Sequence, residues 1–192
     1  MPKKKGLEYF AEVAEFRFSL NRETDRGCAL MAAAYLSNQL ERLLRKTLVD
    51  NRKIIDELFG ILGPLGSFSA KIEVAYSMGL LPKVARQDLH VLRKIRNEFA
   101  HEAGSLTFLD RRVASRCDNL QHHWQECGAK ARAKFISTAI GVCAVIHAAI
   151  ARTDHATEPV GLVFSKELKS QIRKSAEELL EAIPKGKTRR PE

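Results

Sequence analysis

The chain has 192 residues, of which 45% are hydrophobic and 29% charged, with 11 glycines and 6 prolines. This composition excludes a disordered or low-complexity chain, and the length suits one domain with a single core. The net charge of +9 does not by itself indicate nucleic-acid binding, because most of it lies at the two ends, in residues 3–5 and 184–192. Basic ends on a nearly neutral body predict attraction to RNA or another polyanion without a preformed binding surface.

Helical periodicity predicts an all-α, single-domain helical bundle of about seven or eight helices over residues 1–183, followed by a basic, disordered tail at residues 184–192. The predicted helices run, in chain order, over about residues 7–20, 23–50, 52–59, 68–78, 82–101, 111–120, 129–152 and 166–183. The apolar stripe of the second helix is expected to include Leu30, Ala34 and Leu36.

A loop at residues 60–66 interrupts the helical pattern, because it holds three glycines and a proline in seven residues. It lacks the Lys-Ser/Thr that follows the glycines of a phosphate-binding loop. The expected role of the loop is to pack a tight corner beside the next helix, and ligand contact is the alternative.

The longest apolar stretch, residues 135–151, contains His147 and is shorter than the roughly 20 apolar residues of a membrane-spanning helix. We therefore predict a central buried helix and no membrane partner, with His147 as a hydrogen-bonded core residue. The N-terminus passes directly into a charged stretch without a secretory leader, so a cytoplasmic protein is expected.

The four cysteines form no Cys-x-x-Cys pair and are expected to be free thiols in a reducing compartment. Two of them, Cys117 and Cys127, flank His122 and His123, which are all donor types that bind zinc. Their spacing matches no standard zinc site. We expect neither a metal nor a cofactor.

Residues 92–101, Leu-Arg-Lys-Ile-Arg-Asn-Glu-Phe-Ala-His, place polar chemistry at the end of one helix. Asn97 and His101 are four residues apart and share a face, which Arg96 flanks. An imidazole that titrates near pH 6.5 can move a proton to or from a ribose hydroxyl, and an arginine can neutralise charge on a phosphate. The alternative is structural: His101 complements the helix dipole, and Arg96 pairs with a carboxylate such as Glu73.

Residues 96–101, Arg-Asn-Glu-Phe-Ala-His, resemble the Arg-x4–6-His motif of the HEPN superfamily. That resemblance implies a helical bundle, a homodimer and, in many members, a metal-independent ribonuclease in which Arg96 and His101 are catalytic and Asn97 supports them. Other members of the superfamily are noncatalytic binding modules.

A longer resemblance covers about residues 20–120. It rests on the motif above and on Glu-Thr-Asp-Arg-Gly-Cys-Ala-Leu at 23–30, Leu-Glu-Arg-Leu-Leu-Arg at 40–45, Gly-Pro-Leu-Gly-Ser-Phe-Ser-Ala-Lys-Ile at 63–72 and Ala-Tyr-Ser-Met-Gly-Leu-Leu at 75–81. These segments are similar to the mannitol operon repressor family of enteric bacteria. The resemblance implies an all-helical transcriptional regulator that acts through protein partners and has no DNA-reading helix-turn-helix.

Asp25 and Arg26 begin the long second helix, where Arg26 could reach polar groups near Arg96 and both residues could support a site. The alternative is that Asp25 complements the helix N-terminus and Arg26 pairs with a surface carboxylate. Two functions therefore remain: a repressor or co-repressor that binds protein partners, which we place first, and a ribonuclease of the HEPN type, as a toxin or defence effector.

Overall fold

The computed structural model describes residues 3–126, 128–161 and 164–182. These residues form eight α-helices and no strand, which confirms the predicted all-α helical bundle. The helices are α1 (Lys3–Arg22), α2 (Asp25–Thr47), α3 (Arg52–Phe59), α4 (Phe68–Ser77), α5 (Lys83–His101), α6 (Arg111–Cys117), α7 (Ala131–Arg152) and α8 (Lys166–Ala182).

Short polar side chains fix the starts of three helices. The hydroxyl of Thr24 accepts from the Gly27 amide at 3.0 Å, the side chain of Asn51 accepts from Ile54 at 3.3 Å, and Ser67 accepts from Ala70 at 3.1 Å. Each bond satisfies an amide that a helix N-terminus leaves without an intrahelical partner. The second helix therefore begins after Thr24 rather than at residue 23.

Helices α2 and α7 form the centre of the bundle. Helix α2 packs against α1, α4, α5 and α7, and α7 also packs against α1, α5 and α6. By length and composition α7 could cross a membrane, but most of its apolar stretch is buried inside the protein. This burial agrees with the prediction of a central core helix.

The predicted apolar stripe of α2 is partly wrong. Leu36 is fully buried, whereas Leu30 and Ala34 are exposed. The helix instead buries Cys28, Ala29, Ala32 and Ala33 along its first half. Small side chains allow neighbouring helices to approach closely, so the buried face is centred on them and not on the larger Leu30.

A polar cluster joins α1 to α2. One carboxylate oxygen of Glu12 accepts hydrogen bonds from Tyr35 Oη at 2.9 Å, Gln39 Nε2 at 3.1 Å and Arg42 Nη1 at 3.1 Å. Phe16, one turn further along α1, stacks on the Tyr35 ring with 3.9 Å between ring centroids. Helix α1 is thus held by both polar and apolar contacts.

The described residues form two compact units, divided between residues 157 and 158. The first contains α1 to α7, and the second contains α8, all of whose side chains are exposed. The single domain over residues 1–183 stays a prediction. The basic tail at residues 184–192 lies outside the described residues, as do the side chains of the N-terminal lysines, so the attraction to polyanions also stays a prediction.

Candidate functional site

The end of α5 combines buried apolar residues with a polar pocket. Ile95 and Phe99 are fully buried in the core and fix the rotation of the helix. Asn97 and His101 consequently face the same shallow pocket, of about 280 Å³, whose other lining residues are Glu98, Glu102 and Arg112. The pocket thus brings together two of the three predicted site residues.

Arg96 does not line this pocket, although it flanks the face that Asn97 and His101 share. Within the described part of the chain, the side chains of Arg96 and His101 have no hydrogen-bond or ion-pair partner. The expected structural alternative for Arg96 is wrong. Glu73 binds Arg86 instead, through two bonds of 2.9 and 2.8 Å, and a nitrogen of His90 at 2.7 Å.

Glu98 is the most buried charged group of the pocket, with 14% of its side chain exposed. It accepts a hydrogen bond from Arg116 of α6 and forms an ion pair with Arg112 at 3.6 Å. Arg112 also donates to Glu102 at 2.9 Å, and this bond, together with the Gly104 amide, holds the pKa of Glu102 below its ordinary value. Arg112 and Arg116 of α6 therefore bind the carboxylates at and just after the end of α5.

The charges beside the pocket are paired with one another. Two carboxylates, Glu98 and Glu102, lie beside His101, and Arg112 is already engaged by both of them. Arg116 also binds Glu98, and the Arg26 guanidinium lies at the Glu102 carbonyl. The carboxylates are thus matched by cations, and the local charge does not by itself oppose an RNA phosphate between Asn97 and His101.

Asp25 and Arg26 attach the segment after α5 to the start of α2. Arg26 Nη2 donates to the carbonyls of Glu102 at 2.5 Å and Gly104 at 2.9 Å. Asp25 accepts from the Phe108 amide at 2.8 Å. Arg26 therefore binds backbone carbonyls directly after His101 and no surface carboxylate, and a supporting role for Asp25 and Arg26 in a site stays a prediction.

Sequence reasoning did not find Arg132, which completes this junction. It donates to Asp25, to the carbonyl of Leu20 at 3.0 Å and to the carbonyl of Glu23 at 2.5 Å. One guanidinium from α7 thus ties the end of α1 to the start of α2. No local sequence signal indicates these bonds, because the partners of Arg132 lie more than 100 positions earlier in the chain.

His122, one of the residues considered as a zinc ligand, is bound by the fully buried side chain of Asp88. Asp88 accepts from the amides of Gln121 at 3.0 Å and His122 at 2.8 Å, and it lies 2.7 Å from His122 Nδ1. Cys117 is fully buried in the apolar core, and Cys127 lies outside the described residues. His122 therefore attaches its loop to α5.

The loop at residues 60–66 presents two apolar side chains to solvent. Leu65 is buried and its amide donates to the Leu58 carbonyl at 2.9 Å, which anchors the loop on α3, the helix before it. The predicted corner beside α4 stays a prediction. At the tip, however, Ile61 and Leu62 are both 100% exposed. Adjacent apolar residues without any burial are typical of a surface that binds another protein.

Two glycines hold this tip in place. A Cβ atom at Gly63 would lie 2.3 Å from the Glu57 carbonyl oxygen, and one at Gly66 would lie 2.4 Å from that of Gly60. The backbone therefore folds back on itself more closely than any side chain permits. The loop is a fixed platform for Ile61 and Leu62.

Comparison with known proteins yields two matches. The sequence profile of the family described as MtlR, mannitol repressor, matches residues 19–135, which is more than half of the chain. No curated protein matches the chain. Among solved structures, a chain in the X-ray structure of the MtlR-HPr complex from Escherichia coli is 17% identical, with a TM-score of 0.62. The match covers 71% of this chain and 98% of that chain, and it shows a shared fold.

Proposed function

This chain belongs to the mannitol repressor family, and on that premise we propose that it is a bacterial transcriptional regulator that acts by binding another protein. The observation that carries the proposal is the family match over residues 19–135. This range contains α2 to α6, the junction at Asp25 and Arg26, and the loop with Ile61 and Leu62. In this proposal the regulator works in the cytoplasm and does not read DNA through a helix-turn-helix.

HPr is the partner that we propose first. The Escherichia coli MtlR that shares this fold forms a complex with HPr. The fold similarity extends over nearly the whole of the matched chain, so a partner surface on that fold has a counterpart here. Which residues form it must come from this chain itself, because the identity is low.

We place the partner on the tip of the loop at residues 60–66. Burying a large aliphatic side chain in an interface contributes about 1.5–3 kcal/mol, and Ile61 and Leu62 are both available for burial. Because Gly63 and Gly66 already fix the loop, little conformational entropy is lost when the partner binds. Apolar anchors on a rigid platform are typical of interface hot spots.

The test is calorimetric titration of the full chain with HPr, both from Escherichia coli and from the host organism. We expect binding that the double variant Ile61→Asp/Leu62→Asp weakens by about 100-fold or more, since about 3 kcal/mol of apolar burial is lost. Leu109→Asp is the matched control, because Leu109 is also an exposed aliphatic residue in a loop, at 85%, but lies elsewhere.

Each outcome decides the proposal. Binding that is lost in the double variant and kept in the control supports both the partner and the surface. Equal binding of HPr by the wild type and the double variant would show that HPr binds another surface of the chain. Absence of binding to either HPr, by folded protein, overturns HPr as the partner.

The ribonuclease of the HEPN type remains the second function to test, with Arg96 and His101 catalytic and Asn97 supporting. Two side chains with suitable chemistry and no partner among the described residues favour it, whereas the pocket carboxylates are already paired with arginines and do not decide between the functions. A homodimer is part of both proposals. We place the regulator first because the long family match includes the residues of the short motif.

A further inference from the structure

Helix α8 carries an apolar stripe that no described residue of its own unit covers. Its large aliphatic residues are Leu168, Ile172, Leu179 and Leu180, with exposed fractions of 38%, 49%, 67% and 70%. At 100° per residue these positions, with Ala176 between them, fall within about one third of the helix circumference. The helix is thus amphipathic along its whole length.

A helix of this kind needs a partner to be stable. An isolated helix of this length is marginal in water, and most helical stability in proteins comes from packing of the apolar face. Helix α8 has 17 residues and no buried side chain. The stripe therefore has to be covered for the helix to persist.

The charges of α8 are divided between its two halves. Residues 166–174 carry four cations and one carboxylate, whereas residues 175–182 carry three carboxylates and no cation. A partner helix that matched this distribution would be acidic along the first half and basic along the second. Helix α8 itself has this distribution when its direction is reversed.

We propose that α8 is a self-association element, in which α8 of a second copy of this chain packs antiparallel on the apolar stripe. With the two-fold axis at Lys174, Leu168 lies opposite Leu180 of the second copy, and Ile172 lies opposite Ala176. The basic half of each helix then faces the acidic half of the other, as in coiled coils whose flanking charges set the orientation. A parallel pair would place like charges together.

This element is separate from the family domain, because the family match ends at residue 135 and α8 begins at Lys166. Two short helices bury far less than the roughly 1,600 Å² of a standard interface. We therefore expect concentration-dependent association in the micromolar range. The association does not depend on HPr binding, and the tests below use no HPr.

The orientation is tested with spin labels on the full chain. Glu167, Lys174 and Glu181 are spaced by seven residues and lie on one side of α8, opposite the stripe. Each is changed to Cys in turn and labelled, with Cys127→Ser in every variant, since the other three cysteines are buried.

In an antiparallel pair, the distance between the labels of the two copies should be shorter for the variant labelled at 174 than for those labelled at 167 or 181. At 167 and 181 the two labels are offset along the helix axis by about 20 Å, from a rise of about 1.5 Å per residue. Equally short distances at all three positions would show a parallel pair and overturn the orientation. No distance between molecules at any position, in samples at hundreds of micromolar, would overturn self-association through α8.

Charge reversal provides an independent measurement by sedimentation velocity. Lys169→Glu/Arg173→Glu/Lys174→Glu makes α8 acidic except at Lys166, and Glu177→Lys/Glu178→Lys/Glu181→Lys makes it basic except at Glu167. We expect each variant alone to associate at least tenfold more weakly than wild type, and an equimolar mixture of the two to regain association.

Circular dichroism of each variant checks that α1 to α7 stay folded, which exposed α8 substitutions should not disturb. Undiminished association by both variants would show that the copies meet through another surface and overturn the proposal. Weakened association without rescue in the mixture would overturn the charge pairing between the two helices. If the stripe instead binds a lipid vesicle or residues 1–157 of the same molecule, the mixture should associate no more strongly than either variant alone. That result would overturn the proposal.

Discussion

The guanidinium of Arg26, at the first turn of α2, binds the carbonyl oxygen of Glu102, the residue that follows His101 at the end of α5. The same nitrogen also donates to the Gly104 carbonyl. Carbonyls at a helix C-terminus have no intrahelical donor, and a cationic side chain stabilises them. The end of α5 is therefore fixed by a residue 76 positions earlier in the chain.

Arg26→Ala should lower the free energy of unfolding by about 1 kcal/mol, because two carbonyls lose a charged donor at a solvent-exposed position. Urea denaturation monitored by circular dichroism measures the change. Arg111→Ala is the control, since Arg111 is exposed and, in the part of the chain that the structure describes, has no hydrogen-bond partner. A loss no larger than that of the control would show that the Arg26 bonds contribute nothing to stability.

Glu98→Gln should destabilise the chain more than Arg112→Ala does. Glu98 has 14% of its side chain exposed and binds Arg116, whereas Arg112 has 53% exposed. We expect a loss of about 1–3 kcal/mol for Glu98→Gln, because a largely buried charged hydrogen bond is removed, and a smaller loss for Arg112→Ala, whose ion pairs are exposed to solvent. The same urea titration compares them, and the reverse order would contradict the structural role of Glu98.

The bundle and its helix starts could be predicted from the sequence because they rest on local signals. Thr24, Asn51 and Ser67 cap helices whose apolar periodicity is visible over several turns. The face of α2 could not be predicted in full, since four helices surround it and its alanines, rather than Leu30, set the closest approach.

The partners of the site residues could be predicted only in part. Spacing along α5 is sufficient to place Asn97 and His101 on one face, which then lines one pocket. The bonds of Arg132 to Leu20, Glu23 and Asp25 join residues more than 100 positions apart, and no local pattern indicates them. The ion pairs of Glu98 could not be predicted either, because its partners belong to the next helix.

Gly63→Ala should destabilise the chain by about 1–3 kcal/mol, the typical cost of forcing a side chain into a filled space. The added Cβ would lie 2.3 and 2.4 Å from two backbone oxygens of α3, which cannot move as a flexible side chain would. At Gly104 the nearest atom is a carboxylate oxygen 3.7 Å away, so Gly104→Ala is the matched control. Thermal unfolding measures both variants, and an unchanged melting temperature for Gly63→Ala would show that the loop is not tightly held.

His101→Ala should leave the melting temperature within about 2 °C of wild type, because His101 is exposed and substitutions at such positions usually change stability by less than about 0.5 kcal/mol. As a regulator, the wild type should not cleave RNA in the presence of EDTA. Cleavage by wild type that disappears in His101→Ala and in Arg96→Ala would contradict the regulator and establish the ribonuclease. Cleavage that persists in both variants would come from a contaminant.

Acid should destabilise the chain through His147 of α7. Burial lowers the pKa of His147 below its ordinary value of 6.5, although the Glu12 carboxylate acts in the opposite direction. Below about pH 6.5 the unfolded chain therefore binds a proton that the folded chain does not yet bind. The free energy of unfolding should fall as the pH decreases from 6.5, by at most about 1.4 kcal/mol per pH unit for one proton.

His147→Gln removes the titrating imidazole. The free energy of unfolding of this variant should therefore depend less on pH between 7.5 and 5.5 than that of the wild type. The pKa of Glu12 is lowered from 4.5, in part by its bonds with Tyr35 and Arg42, so this carboxylate remains charged over that range and does not obscure the effect. Urea titrations of wild type and variant at a series of pH values measure the difference in slope. Parallel slopes for wild type and variant would contradict the lowered pKa of His147.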